Sequence, residues 1–400
     1  MQPSDFQAGF PGVLEPTTFE EGGPGGEKAQ RQGLAFVPHP LPPELDRTRL
    51  LGRLFDVLDR ARTRLVRLDG LVDALPGRTA LLSGLRIREA RASSQIENTF
   101  ASVQDTALAG LGALRPESAP AEVHRNQQAI EHGLRSKLPI CGRLVLEMHR
   151  LLITDARHRP GKYRDTQVCI GDEHKGFRHA RFVPPPGARV RELMDLWERF
   201  CNPNTPQSTP RDTLPYFVEL ALAHYQFETI HPMSGGNGRL GRALVTLAPV
   251  KNGELRHPVC NLSEWVQKNR QEYYDRLLRV STHGEWEEWV GFFCTAIAEQ
   301  AAADTVCAEG LGKLYADYTA KITTRRGSIL PTRLLDHLFD RQVVTVTKAA
   351  EIMGITYAAA QKHVQAFEKL GILVALKDVK YDRPYLAMGI IRAIQGQDEE

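Results

Sequence analysis

The sequence predicts a mainly α-helical protein: one helical bundle interrupted by a β-hairpin, with a small helix-turn-helix domain at the C-terminal end. Three observations carry this. Apolar residues recur at helical spacing over 44–75, 79–97, 189–205 and 261–280. The stretch 216–230 is apolar on nearly every side and reads as a buried helix, which Pro232 then stops. Past about residue 308 the pattern changes to two short helices about a GIT turn, followed by strand-like ILVAL and KYDRPYLA.

Composition sets the bounds. At 400 residues and 42% hydrophobic, the chain is long enough for two or three domains and a sizeable core. A net charge of +3 points to no particular partner. The six cysteines are scattered singly with no CxxC pair, which argues against zinc and against a disulfide framework. Reduced thiols, no apolar run that spans a bilayer and no secretory leader make the expected location cytoplasmic, away from membranes.

Taken in order, residues 1–33 are rich in Gly, Pro and Glu without apolar period, and read as a flexible tail. PHPLPPEL at 38–45 is an extended lead into the first helix, which Pro76 and Gly77 end. A second helix, from about Thr79 to Glu97, finishes in SSQIENTF. Its Ser93 and Glu97 are four apart and share a face, and Asn98 suits a left-handed cap. By itself Glu97 reads as a solvent-facing glutamate at a helix end. Helices follow around Val123–Leu134 and Gly142–Thr154; His124 and His149 on them read as hydrogen-bonded core residues. Val168, Ile170, Phe182 and Val183 flank a Gly-, Asp- and Lys-rich turn, which predicts a β-hairpin. Single helices are expected over 189–205 and 261–280, and 286–300 closes the bundle.

The chemistry concentrates at 226–244, QFETIHPMSGGNGRLGRAL. Gly235, Gly236 and Gly238 allow backbone angles that other residues avoid, and the pattern is helical again from Arg239 to a stop at Pro249. A glycine loop feeding a helix start offers backbone N–H groups to an anion. Arg239 and Arg242, three apart, can share a polyphosphate, Asn237 can donate to a phosphate oxygen, and His231 stands beside them as a candidate base. Each residue alone has an ordinary structural reading. Together they describe a phosphoryl or nucleotidyl transfer site.

HPMSGGNGRLGR, with GKYRDTQV and VPPP upstream, resembles the Fic motif H-x-F-x-(D/E)-G-N-G-R-x-x-R and its surroundings from about residue 34 to 300. His231, Gly236, Asn237, Gly238, Arg239 and Arg242 match. The resemblance implies a helical Fic fold that transfers AMP from ATP to a protein hydroxyl. His231 would be the base, and Gly236, Asn237, Gly238, Arg239, Leu240, Gly241 and Arg242 would form the ATP site. Tyr273 and Tyr274 are candidates to flank the adenine. Ser93, Glu97 and Asn98 are similar to the family's inhibitory motif, whose glutamate pairs with the second motif arginine, here Arg242. Gln167, Val168, Ile170 and Gly171 resemble the flap that pairs with an extended target segment. Met233 stands for the usual Phe, a tolerable apolar exchange. Gly235 stands for the acid that holds magnesium in the family, and the neighbouring Ser234 hydroxyl is a poor substitute. ATP as substrate would bring magnesium, but its protein ligand is missing.

The expected domains are thus a tail at 1–33, an N-terminal helical region with the inhibitory helix at 34–120, a Fic core at 121–308 and a winged helix-turn-helix domain at 309–400. Residues 329–392 carry nine Lys or Arg against six Asp or Glu, a net of +3 and thin for a strong DNA binder. DNA contact and protein contact stand as equal readings for this domain. Two functions compete: an adenylyltransferase acting on a target protein, itself included, and a nucleotide-sensing pseudoenzyme or regulator working through the winged helix. A homodimer is expected only by family analogy.

Overall fold

The computed structural model describes residues 2–22, 28–112, 115, 117–171, 179–202, 214–323, 329–376 and 382–396. The chain is mainly α-helical, as expected. In order it forms β1 (Gly12–Gly22), β2 (Lys28–Pro38), α1 (Arg47–Ala74), α2 (Arg78–Ile96), α3 (Val103–Ala109), α4 (Ala119–Arg135) and α5 (Gly142–Leu152). Next come α6 (Val190–Cys201), α7 (Tyr216–Ile230), α8 (Asn237–Lys251), α9 (Ser263–Lys268), α10 (Arg270–His283) and α11 (Trp286–Ile322). The C-terminal part holds α12 (Leu330–Arg341), β3 (Val343–Val344), α13 (Val346–Met353), α14 (Tyr357–Lys369), β4 (Val374–Ala375), β5 (Tyr385–Leu386) and α15 (Met388–Gln395).

The residues divide into two compact units. One unit comprises Met1–Thr63, Gln128–Glu254 and Trp265–Ala298; the other comprises Arg64–Gln127, Leu255–Glu264 and Glu299–Glu400. The boundary placed at 308 falls inside α11, which runs unbroken from Trp286 to Ile322. Gly310 and Gly312, just beyond it, do not break that helix.

The first unit is built around α7. Apolar on all sides, α7 must be covered all round. Two tryptophans from different helices donate to its backbone, Trp197 Nε1 to the Ala223 carbonyl at 2.9 Å and Trp289 Nε1 to the Ala221 carbonyl at 2.9 Å. Tyr225 reaches Ser281 Oγ at 2.8 Å. A bulky core thus fixes the one helix whose end carries the motif histidine.

The stretch read as a flexible tail is instead an antiparallel hairpin, with Gly12 opposite Pro38 and Thr17 opposite Gly33. Its anchors are local. Phe6 and Phe10 pack on Phe36, and Phe36 on Phe182, with ring centroids 5.9, 6.1 and 5.7 Å apart. Phe36 also donates its N–H to the Val183 carbonyl at 2.9 Å. Isolated aromatics amid glycine carry no periodicity, so the composition concealed a strand pair. Two smaller corrections concern helix ends. Pro249 does not stop α8 but sits in its last turn, and Asn252 still donates to Ala248 O at 2.9 Å. The segment 261–280 is two helices, α9 and α10, because Asn269 takes a non-helical conformation between them.

In the second unit, α13 and α14 form the expected helix-turn-helix. Thr345 and Thr356 cap them by accepting the N–H of Lys348 and Ala359. A three-stranded antiparallel sheet ordered β3-β5-β4 accompanies them. Residues 377–381, between β4 and β5, lie outside the described residues. Helices α12 and α15, for which no expectation was made, complete the unit. Among the described residues no helix is long and apolar enough to cross a membrane.

Candidate active site

The site lies wholly in the first unit, at the turn from α7 to α8. His231 ends α7 in the left-handed conformation, φ 50° and ψ 60°, with its N–H on the Phe227 carbonyl at 3.0 Å. A non-glycine residue rarely adopts this conformation, and here it turns the histidine out of the helix. The His231 Nδ1 lies 3.4 Å from the Glu228 carbonyl. A carbonyl only accepts, so this contact favours the proton on Nδ1 and leaves Nε2 as the proton acceptor.

A buried arginine holds this end of the helix. Arg164 Nε donates to the His231 carbonyl at 2.7 Å, and Nη2 donates to Ile230 O at 3.1 Å and Pro185 O at 2.7 Å. Its Nη1 donates to Thr166 O at 3.0 Å. The cation sits at a helix C-terminus, where the peptide dipoles favour it, although burial pushes its pKa down to about 10. Nothing in the helix periodicity marks Arg164. The GKYRDTQV resemblance contained it without assigning it this work.

The loop after His231 is fixed from inside. Met233 is fully buried. Asn237 Oδ1 accepts the Met233 N–H at 2.8 Å and its Nδ2 donates to the Met233 carbonyl at 2.9 Å. The Asn237 side chain thus staples the loop, and its amide nitrogen carries a second N–H beyond the one given to Met233. Gly236 caps α8 at φ 78°, where a Cβ would also crowd Ile153 and Leu152 at 3.1 and 3.2 Å. The first N–H of α8 to turn back onto the loop is that of Leu240, bonded to Gly236 O at 3.1 Å. The first N–H groups of α8, at Asn237, Gly238 and Arg239, have no partner within the helix by its geometry.

Leu240 is core, and a Cβ on Gly241 would run into the Glu228 carboxylate, so this glycine lets α7 and α8 approach. Arg239 and Arg242 are both buried. They act on different histidines: Arg239 on His149, Arg242 on His224.

Two histidines grip the loop at 234–235. His149, in α5, accepts the Gly161 N–H on Nδ1 at 2.9 Å, so its Nε2–H donates to the Gly235 carbonyl at 3.1 Å. His158 Nδ1 donates to the Ser234 carbonyl at 3.1 Å. A Cβ on Gly235 would lie 2.9 Å from His158 Nδ1 and 3.3 Å from its Cε1. Glycine at 235 and the imidazole of His158 therefore occupy complementary space. Among the described residues no three His, Cys, Asp or Glu side chains converge as a metal site. Gly235 itself offers no side-chain oxygen to an ion.

His149 is a hydrogen-bonded core residue, as expected, but its bond goes to the loop itself. Burial, opposed by the Gly235 bond and reinforced by the charges of His158 and Arg239, lowers its pKa to about 4. Burial and Arg242 bring His224 to about 3. An unfolded chain protonates both near pH 6.5, while the native chain keeps them neutral to much lower pH. Stability is therefore level above about pH 6.5 and falls as the pH drops toward 4, by about 1.4 kcal/mol per unit for each histidine. Thermal melting should show a flat transition temperature between pH 7 and 8 and a steep fall from 6.5 to 4.5. A transition temperature unchanged across the acidic range would contradict this assignment.

Of the two tyrosines, Tyr273 is core. It is buried and its OH meets His224 Nε2 at 2.9 Å. It offers no face to an adenine. Tyr274 is half-buried, with the guanidinium carbons of Arg181 and Arg270 at 5.9 and 5.6 Å from its ring centroid.

The flap is reduced among the described residues to one antiparallel bridge, Ile170 opposite Phe182, and its turn at 172–178 lies outside them. Ile170 donates to Phe182 O at 2.8 Å and accepts from Arg181 and Phe182 at 2.8 and 3.1 Å. Its backbone is thus used within the hairpin. Gln167 is also used internally: Nε2 donates to Val168 O and Pro184 O, both at 2.9 Å, and Oε1 accepts from Thr17 Oγ1 at 2.6 Å. Val168 beside it is half-buried.

Ser93, Glu97 and Asn98 belong to the other unit. Ser93 is buried in α2, while Glu97 and Asn98 form its exposed end, with Asn98 left-handed at φ 61°.

Residues 139–248 match the sequence model of the Fic/DOC family, and residues 55–135 match that of the Fic/DOC family N-terminal region. Over 169 residues, 42% of this chain, the sequence is 30% identical to the protein adenylyltransferase Fic of Drosophila grimshawi and covers 31% of that protein. The corresponding protein of Drosophila melanogaster is 28% identical over 169 residues, 42% of this chain and 30% of its own length. The chain therefore spans under a third of the length of these curated relatives. A crystal structure of a Fic family protein from Desulfovibrio desulfuricans covers 87% of this chain and 97% of its own, with a TM-score of 0.50 and 20% identity, which shows a shared fold.

Proposed function

The chain belongs to the Fic/DOC family, and from that premise we propose that it is a protein adenylyltransferase that moves AMP from ATP to a hydroxyl side chain of a protein, its own included. The observation that carries this reading is His231, turned out of α7 with Nε2 left as acceptor, directly before the anion-facing start of α8. In the proposed step a target hydroxyl oxygen attacks the α-phosphorus of ATP. Its proton passes to His231 Nε2, the bond from the α-phosphorus to the bridging oxygen breaks, and pyrophosphate leaves. The helix start at 237–239 and Arg239 stabilise the phosphate charge. An extended target segment pairs with the flap at Gln167, Val168, Ile170 and Gly171, which fixes its register without demanding a particular sequence. Tyr274 is the remaining aromatic candidate for the adenine. Glu97 at the end of α2 acts as a brake on Arg242.

A second reading is favoured by one observation, the pairing of Gly235 with His158. Without a carboxylate the site binds ATP and transfers slowly or not at all, and the chain acts as a nucleotide-sensing regulator through its helix-turn-helix. The two readings separate on incorporation of label from α-labelled ATP across a magnesium titration. We expect slow incorporation by the parent chain with little dependence on magnesium. Gly235→Asp alone should fail to create magnesium dependence, because its Cβ meets the His158 ring. Gly235→Asp with His158→Ala should create it, since a carboxylate is then free to hold an octahedral ion. A double variant that binds ATP but never labels protein would favour the regulator.

A further inference from the structure

We propose that the C-terminal helices are the handle of the brake: α11, α12 and α15 grip α2 from outside, so displacing them displaces the end of α2 that carries Ser93 and Glu97. This rests on the reading of Glu97 as a brake. The grip centres on Ser83 and Gly84. Ser83 is fully buried, and its Oγ reaches both the carbonyl of Asp340 at 3.0 Å and the Asp340 carboxylate at 2.8 Å, at the end of α12. Arg86, one helical turn on, lies 3.6 Å from the same carboxylate. A Cβ on Gly84 would fall 2.6 Å from Leu311 of α11 and 3.4 Å from Ile394 of α15. Position 84 thus faces both helices, and a side chain there would have to displace at least the Leu311 side chain.

The gripping helices form one body with the helix-turn-helix. Ala387, just before α15, donates to the carbonyl of Gln342, just after α12, at 2.9 Å. Strand β3 follows α12 directly and pairs with β5, which leads into α15. Any partner that shifts α13 and α14 therefore pulls on α12 and α15 together. From Ser83 to Glu97 is one uninterrupted helix and its cap, about 20 Å at helical rise, so a displacement at one end reaches the other as a rigid rotation. A buried hydroxyl shared between a side chain and a carbonyl suits such a contact. It has a defined bonded state and costs little to break once water enters.

The test compares the full chain with Ser83→Ala, Asp340→Ala and Gly84→Val, none of which touches the transfer site. Hydrogen exchange of the amides at 90–98 reads the handle directly, and self-labelling from α-labelled ATP reads the brake. The proposal expects faster exchange at 90–98 in each variant, and labelling raised about fivefold or more. It also expects no further rise when the substitutions are added to Glu97→Gly. Unchanged exchange at 90–98 in folded variants, checked by thermal melting, would overturn the handle. Faster exchange with labelling unchanged in both the variants and Glu97→Gly would keep the handle and overturn only the brake.

Discussion

Replacing His231 with alanine is expected to reduce AMP incorporation by about 10²–10⁴-fold while leaving ATP affinity nearly intact. The two effects separate because of where the side chain sits. His231 closes α7 through its backbone, with its N–H on Phe227 and its carbonyl on Arg164, and alanine keeps both groups. The left-handed backbone costs alanine about 1 kcal/mol or somewhat more, small beside the loss of a base. The phosphate-facing groups belong to α8 and its start, and Asn237 holds that loop through Met233 without help from the imidazole. Isothermal titration with ATP and a labelling time course check the two halves. Labelling at the parent rate would remove His231 from the mechanism, whereas loss of ATP binding would show that its role is structural.

Glu97→Gly is expected to raise self-labelling on the order of tenfold or more, the scale of a regulatory coupling of a few kcal/mol. Glycine at this position does little to the helix, because Glu97 is already its cap, with φ −91° and ψ 20°, and Asn98 beyond it is left-handed. A change in labelling therefore reports the carboxylate rather than a melted helix. Gln at the same position, which keeps the length but not the charge, should fall between the parent and glycine. Equal labelling in all three would make Glu97 an ordinary surface residue.

These expectations bear on how truncation behaves. A cut at 308 leaves the motif at 226–244 intact. The structure shows that this cut severs α11 mid-helix and strips α12 and α15 from α2. The sequence could not announce this, because the contacts are made by Ser83 and Gly84, two small residues without any periodic signal. What was legible follows a physical pattern. The turn from α7 to α8 could be read because proline, glycine and an all-apolar helix each constrain the backbone locally. The bounds of α2 and the left-handed Asn98 followed from helix period and cap chemistry for the same reason.

What was not legible depends on contacts across the chain. Tyr273 and Tyr274 are identical in type and adjacent, yet only the partner His224 decides that Tyr273 is core. That Asn237 also staples the loop through Met233, four residues earlier, has no signal in the sequence. The hairpin at 12–38 was hidden because its strands are held by Phe36, Phe182 and Val183 rather than by alternation. Gly235 was identified as a departure, but His158, which fills the space that glycine leaves, is 77 positions away in sequence.

The central claim is that the chain transfers AMP and does so with His231. Parallel incubations of Glu97→Gly with ATP labelled at the α- or the γ-phosphate test it most directly, with Glu97→Gly/His231→Ala as the paired control. The account predicts that α-label becomes acid-stable on protein, that γ-label leaves as pyrophosphate and never does, and that the control retains neither. Retention of γ-label, or α-label surviving the loss of His231, would contradict it.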